Sequence, residues 1–338
     1  MRHSQHHWPI YGHDWAVEFL RKSMTHGRNR HAYLITGMRD IGKMQLAHAF
    51  AMALNCTHDD PDQRPCGDCA SCQRIASRNH PDMLYSQQDE KTGALKIDAI
   101  RTVTQALALK PFSSRYRVAI FENFDQARPQ AQDALLKTLE EPSPYAVLIL
   151  LAPSTETIMP TITSRCQLIP LRPVSQALVA DVLRSEGADD DYATWLARLS
   201  SGRIGWALNA LYNEQILNER DDMLEMLEDV LRGRRVERFA IAEDLDKLAR
   251  KDKTAVRDLL EMWQTYWRDV LLLTTESPIK PCHSDRLVAM QQLLQRGVDT
   301  AAALKALRAT RHMLQETLKT NASVRMALEV LFLDYPGL

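Results

Sequence analysis

His31-Ala32-Tyr33-Leu34-Ile35-Thr36-Gly37-Met38-Arg39-Asp40-Ile41-Gly42-Lys43-Met44 is the stretch that decides the fold. Its first six residues are a short apolar run of strand type. Gly37 to Met44 then keep the spacing G-x-x-x-x-G-K-[ST] except at the last position. Leu46, Ala47, Phe50, Ala51 and Leu54 follow at helical spacing. Strand, glycine loop and helix form the setting of a phosphate loop. There the backbone N–H groups cradle phosphates, the lysine reaches the β/γ-phosphates and a hydroxyl ligates Mg²⁺. The plainer alternative is a strand-turn-helix whose two glycines serve only the turn. Met44 offers a soft thioether where Mg²⁺ needs a hard oxygen, so the pattern reads as an NTPase fold with a damaged site.

A second defect agrees with the first. Arg117-Val118-Ala119-Ile120-Phe121 is a buried-strand run that ends in Glu122-Asn123, where an active ATPase carries Asp-Glu. Glu122 retains a carboxylate for a metal, on a longer arm. Asn123 is a neutral amide and takes no proton near neutral pH, so it cannot activate water.

The chain has 338 residues, enough for two or three domains. Its formal net charge of −1 argues against a dedicated nucleic-acid binder with a strong basic field. No stretch approaches ~18 consecutive apolar residues, so no membrane span is expected. Met1-Arg2-His3-Ser4-Gln5-His6-His7-Trp8-Pro9 has no apolar core of a secretory signal. It reads as a frayed, solvated end with at most weak metal affinity through its histidines. Thirteen methionines and six cysteines fit a reducing cytoplasm.

Four of the six cysteines, Cys56, Cys66, Cys69 and Cys72, fall in one segment as C-x9-C-x2-C-x2-C, with Pro65 and Gly67 turning the chain. Closely spaced C-x-x-C steps fold readily around one tetrahedral Zn²⁺, and four thiolates leave no open position for catalysis. Disulfides are disfavoured in a cytoplasmic chain, and a redox C-x-x-C does not come as a nested triple. Cys166 and Cys282 stand alone and read as small buried apolar residues.

Up to about residue 172, strand runs (83–85, 118–121, 147–152, 167–170) alternate with helical patterns (42–54, 97–108, 128–139 and a short one near 159–163). Such alternation predicts a parallel sheet wrapped by helices. Pro142 stops the third of these helices. The adjacent Glu140 and Glu141 diverge by about 100° on a helix and read as a solvated end rather than an acid/base pair. Beyond Pro173 the chain reads as helical: 175–185, 191–199, a helix from Trp206, a break at Arg232-Gly233-Arg234-Arg235, then 254–273 and 300 to about 318. The basic break reads as a linker with a solvated face.

Taken in order, several segments resemble bacterial clamp-loader subunits of the AAA+ superfamily. They are His31-Ala32-Tyr33-Leu34, the cysteine insertion, His80-Pro81-Asp82, Ile97-Asp98-Ala99-Ile100-Arg101, Ala134-Leu135-Leu136-Lys137-Thr138-Leu139-Glu140-Glu141-Pro142 and Thr163-Ser164-Arg165-Cys166. The resemblance implies an α/β AAA+ P-loop domain over 1–172 with a zinc module at 56–72. An all-α lid domain (173–235) and an all-α collar domain (236–338) for oligomerisation follow.

Motor (gamma/tau) subunits of that family have an intact P-loop and an Asp-Glu pair. This chain departs from them at Met44, Glu122 and Asn123. It also has Gly205 where the nucleotide-sensing arginine of the lid aligns, with Arg203 two residues early. The departures imply a non-catalytic stator subunit in the cytoplasmic DNA polymerase III holoenzyme. Its partners would be gamma/tau motors and a delta subunit, and indirectly the sliding clamp and primer-template DNA. Gly37, Gly42 and Lys43 then form a vestigial phosphate loop, compatible with weak ATP binding but not with turnover.

The resemblance gives Arg165 a role in trans: its guanidinium would reach ATP on a neighbouring subunit, with two parallel bonds to phosphate oxygens. By pattern alone, capping its own short helix is an equal reading. Two alternatives stand beside the stator. One is an active gamma/tau-like ATPase using Glu122 as metal ligand. The other is a DNA-binding module organised by the zinc site, which the near-neutral charge counts against.

Overall fold

The computed structural model of the chain describes residues 8–89, 93–317 and 323–336. Within these, β1 (Ala32–Thr36), β2 (Met83–Tyr85), β3 (Arg117–Phe121), β4 (Ala146–Ala152) and β5 (Gln167–Pro170) form one sheet in the order β2-β3-β4-β1-β5. Every neighbouring pair is parallel, and parallel pairing needs crossovers, which helices supply. Those of this region are α1 (Asp14–Thr25), α2 (Lys43–Asn55), α3 (Ala70–Ala76), α4 (Ile97–Leu107), α5 (Pro129–Glu140) and α6 (Pro160–Thr163).

The inner strands β1, β3 and β4 are apolar on both faces because both faces are covered. Tyr33, Ile35, Val118, Ile120, Val147, Ile149 and Leu151 point to one side and pack with Leu20, Leu46 and Phe50. Their alternate neighbours Ala32, Leu34, Ala119, Phe121, Leu148 and Leu150 point to the other and pack with Ile100, Val103, Leu135 and Leu139. This is the period-two rule of a strand written twice, once for each layer.

The five strand positions read from sequence agree with the structure to within a residue. α1 and α3 were not anticipated. Trp8, expected in a frayed end, is 3% exposed, and this overturns that reading for Trp8. The histidines at 3, 6 and 7 lie outside the described residues.

The chain divides into two compact units, one of residues up to Val182 together with Gly202–Trp206, the other of Leu183–Ser201 together with the chain from Ala207. α7 (Gln176–Ser185) and α9 (Ile204–Tyr212) contribute residues to both. The second unit is helical among its described residues: α8 (Asp190–Leu199), α10 (Gln215–Arg232), α11 (Arg235–Lys251), α12 (Lys253–Thr274), α13 (Leu287–Gln295), α14 (Thr300–His312) and α15 (Val324–Asp334). Arg232 to Arg235 is the break between α10 and α11, as expected. The helix expected to reach about 318 instead ends at His312 and passes into a π turn, Met313–Thr317; Leu318 lies outside the described residues.

Trp263, Tyr266 and Trp267 of α12 anchor this core, with Trp263 5.9 Å from Phe332 and Trp267 5.1 Å from Tyr335 between ring centroids. Cys282 is buried as expected, but its surroundings are polar: Arg268 Nη2 lies 2.7 Å and Ser201 Oγ 3.0 Å from its sulfur. Among the described residues no helix is long and apolar enough to cross a membrane.

Candidate functional site

The glycine loop lies between β1 and α2, at the carboxyl edge of the sheet where α/β folds place their ligands. Gly37 opens it at φ 150°, and an added Cβ would lie 2.9 Å from Leu171 O, so only glycine fits. Its N–H is shared between Ala152 O and Pro153 O, each at 3.2 Å. Lys43 Nζ donates to Gly37 O at 2.7 Å and Met38 O at 2.8 Å. Met44 is half-buried and packs against the apolar layer under α2.

Two further groups reach the loop. Gly205 N–H donates to Asp40 O at 2.8 Å, and a Cβ on Gly205 would lie 2.7 Å from that oxygen. Position 205 therefore has no room for any side chain. Arg203 instead stacks over the Trp206 ring at 5.3 Å. From the other side, His13 Nε2 lies 2.8 Å from Ile41 O. Burial lowers the His13 pKa, against the pull of the Ile41 bond and Asp14. Burial thus favours the neutral form, and because a carbonyl only accepts, the proton facing Ile41 O is on Nε2.

Glu122 and Asn123 follow β3 at the same sheet edge, one strand removed from the loop, since β4 pairs with both β1 and β3. Both are exposed, and Asn123 is left-handed at φ 46°, a conformation that asparagine tolerates better than most residues.

Arg165 sits just beyond α6. Its Nη1 donates to Thr161 O at 2.8 Å and its Nη2 to Glu140 Oε1 at 2.9 Å. The helix-capping contact read from sequence is thus present. Glu140 is not a merely solvated helix end, as it holds this arginine.

Cys56, Cys66, Cys69 and Cys72 bring their sulfurs within 4.8 Å of one another. A tetrahedral ion with thiolates at about 2.3 Å has edges of about 3.8 Å, so small side-chain adjustments suffice. The donor set also suits thiolates: Cys66 N–H points at Cys56 Sγ, Cys69 N–H at Cys66 Sγ and Cys72 N–H at Cys69 Sγ, all at 3.4 Å. Burial pushes the Cys56 and Cys72 thiols up. Burial also acts on Cys69, but donors from Thr57 and Cys72 outweigh it and bring that thiol down to about 6. These four residues can bind a metal ion.

The structure also explains His80-Pro81-Asp82. Asp82 is fully buried and accepts from the backbone N–H groups of Phe112 (2.6 Å), Ser113 (2.9 Å) and Ser114 (3.0 Å). His80 Nε2 lies 3.1 Å from Ser114 Oγ. Sequence reasoning missed this clamp, the His13 contact and the Glu140 contact. Each joins residues far apart in the chain, and no spacing rule signals such pairs.

The first unit is thus a parallel sheet with a glycine loop at its carboxyl edge and helices on both faces, and known proteins resemble this chain. The family model described as DNA polymerase III, delta subunit, matches residues 12–175. The delta′ subunit of DNA polymerase III from Bacillus subtilis is 27% identical over 277 residues, covering 82% of each chain. The delta′ subunit from Pseudomonas aeruginosa is 31% identical over 214 residues, 61% of this chain and 62% of its own. The tau/gamma subunit from Haemophilus influenzae is 28% identical over 233 residues, 65% of this chain but 33% of its own. The chain is therefore similar to subunits of DNA polymerase III. Among them it resembles the delta-prime subunit in particular.

Proposed function

We propose that this chain is a non-catalytic stator subunit of a DNA polymerase III clamp loader, supporting ATP-dependent loading of the sliding clamp onto primed DNA. The observation that carries this reading is the state of its own phosphate loop. Met44 and Asn123 remove the hydroxyl and the base of the hydrolytic reaction, and the Gly205 amide closes on Asp40 O with no space for a sensing arginine. The chain alone turns over no ATP. Lys43, with Gly37 and Gly42, is left as a vestigial cradle.

Arg165 is then the residue that acts, on a neighbour's nucleotide. Its exposed end already makes two bonds in a fork, to a carbonyl and a carboxylate, and the same fork matches two phosphate oxygens. An exposed ion pair contributes only about 0–1 kcal/mol, so exchanging Glu140 for a γ-phosphate costs little. Residues 173–235 serve as the lid, and 236–338 as the collar joining gamma/tau and delta subunits. The four cysteines hold a structural Zn²⁺, which fixes the fold of their loop and supplies no reaction step.

The test is the clamp- and primed-DNA-stimulated ATPase of a reconstituted loader containing Arg165→Ala. At least a tenfold loss in an assembled complex supports the reading. Unchanged turnover overturns the role in trans. Robust turnover by the chain alone, abolished by Lys43→Ala, would favour the motor alternative.

A further inference from the structure

The segment 8–13 crosses the phosphate loop on its way into α1. Ile10 and His13 lie over Gly42, where an added Cβ would be 3.9 Å from Ile10 Cδ1 and 3.8 Å from His13 Nε2. His13 also holds Ile41 O at 2.8 Å, and Gln45 Nε2 donates to Pro9 O at 3.1 Å. The segment thus packs against the backbone of Ile41 and Gly42, part of the loop that would cradle a phosphate.

What fastens this segment is the cysteine loop. Trp8 is buried, stacks on Phe50 with ring centroids 6.4 Å apart, and donates from Nε1 to Arg64 O at 3.2 Å. Arg64 lies two residues before Cys66, and its own Nε donates to His58 O at 2.7 Å, two residues after Cys56. The loop therefore holds Trp8 between two of the four cysteines. Beyond the segment, eight residues into α1, Arg21 pairs with Asp62 of the same loop at 2.7 Å. One loop grips the chain on both sides of the point where the strap packs against Gly42.

We infer that the metal-bound cysteine loop is a latch that keeps the strap 8–13 closed over the phosphate loop. The inference rests on the reading of the four cysteines as a metal site, but not on the role of Arg165. With the ion bound, Cys56 and Cys66 fix the span between them and so fix Arg64 O and Asp62 in place. Without it, that span has no covalent or metal tether, and Trp8 and Arg21 lose fixed partners.

Hydrogen–deuterium exchange on the full chain tests this, with metal content measured on the same samples. Removal of the ion by a chelator should speed exchange at least tenfold in segments 8–17 and 37–46. Strand segments 118–121 and 147–151 should stay protected. The double variant Trp8→Phe/Arg21→Gln keeps the ring packing and deletes both fastenings. It should show the same pattern, at several-fold amplitude, with the metal still bound. Binding of a fluorescent adenine nucleotide should rise several-fold in both samples. Exchange confined to 56–72, or spread equally through the sheet, would overturn the latch, as would a double variant indistinguishable from wild type. A purified chain without metal would refute the metal reading, while the double variant would still decide whether the loop fastens the strap.

Discussion

Arg165 and Glu140 are joined at the surface of the first unit, Nη2 to Oε1 at 2.9 Å, although 25 positions separate them in the chain. The pair is half-exposed on both sides, 38% and 52%, so solvent screens it and it adds at most about 1 kcal/mol. Glu140→Gln should leave the melting temperature of the chain within a degree or two and should not lower the ATPase of a reconstituted loader. Arg165→Lys should behave differently. It keeps the charge but loses the planar fork, and loader turnover should fall nearly as far as in Arg165→Ala. Equal activity of the lysine and arginine chains would mean that only charge is needed.

Asp82 makes a prediction about stability. Burial pushes its carboxyl up, but the donors of Phe112, Ser113 and Ser114 outweigh burial and leave it below its ordinary value of 3.8. A carboxylate with a lowered folded pKa contributes stability above that ordinary value and loses it as pH falls through the folded one. Asp82→Asn keeps the shape and removes the charge, and should cost the first unit about 2–4 kcal/mol at neutral pH. Urea melts of wild type and variant should converge as pH falls below about 4, and a constant gap would refute the charge-based account.

The elements that were legible and those that were not differ in a physical way. β1, β3 and β4 are runs in which both faces are buried, so the strand signal does not depend on knowing the partner. Met44 and Asn123 were legible because a missing hydroxyl or base is a property of residue type. α1 carries Ala16, Val17 and Leu20 at helical spacing, a usable signal that the polar end preceding it obscured. Gly205 against Asp40 O, His13 against Ile41 O and Trp8 against Arg64 O are contacts across 165, 28 and 56 positions. They arise only once the sheet has formed, and a single sequence carries no periodic trace of them.

The cysteine cluster predicts a stoichiometric metal. The purified chain should carry one Zn²⁺, and Cys72→Ser should lose it. Cys72 is fully buried, and metal binding contributes directly to folding. The first unit should therefore unfold at markedly lower denaturant concentration, with the second unit unaffected. Retention of one tightly bound ion by the variant would mean that three thiolates suffice and that the fourth is a core residue.

Repairing the phosphate loop should fail unless the space around it is also repaired. Met44→Thr restores the hydroxyl at a half-buried position, and Asn123→Glu restores a base at an exposed one, though at the left-handed φ of 46° glutamate costs about 1 kcal/mol. An arginine at position 205 is different. Gly205→Arg places its Cβ 2.7 Å from the Asp40 carbonyl oxygen and 3.3 Å from the carbonyl carbon. These are backbone atoms that no side-chain rotation can clear. Overpacking of this kind costs about 1–3 kcal/mol or more, and it would break the Gly205 N–H bond that closes the loop. The triple variant should therefore be less stable than the double variant and no better an ATPase. Turnover by the double variant alone would show that residue chemistry limits this site. Turnover appearing only with Gly205→Arg would show that the loop moves aside, contrary to the packing seen around Asp40.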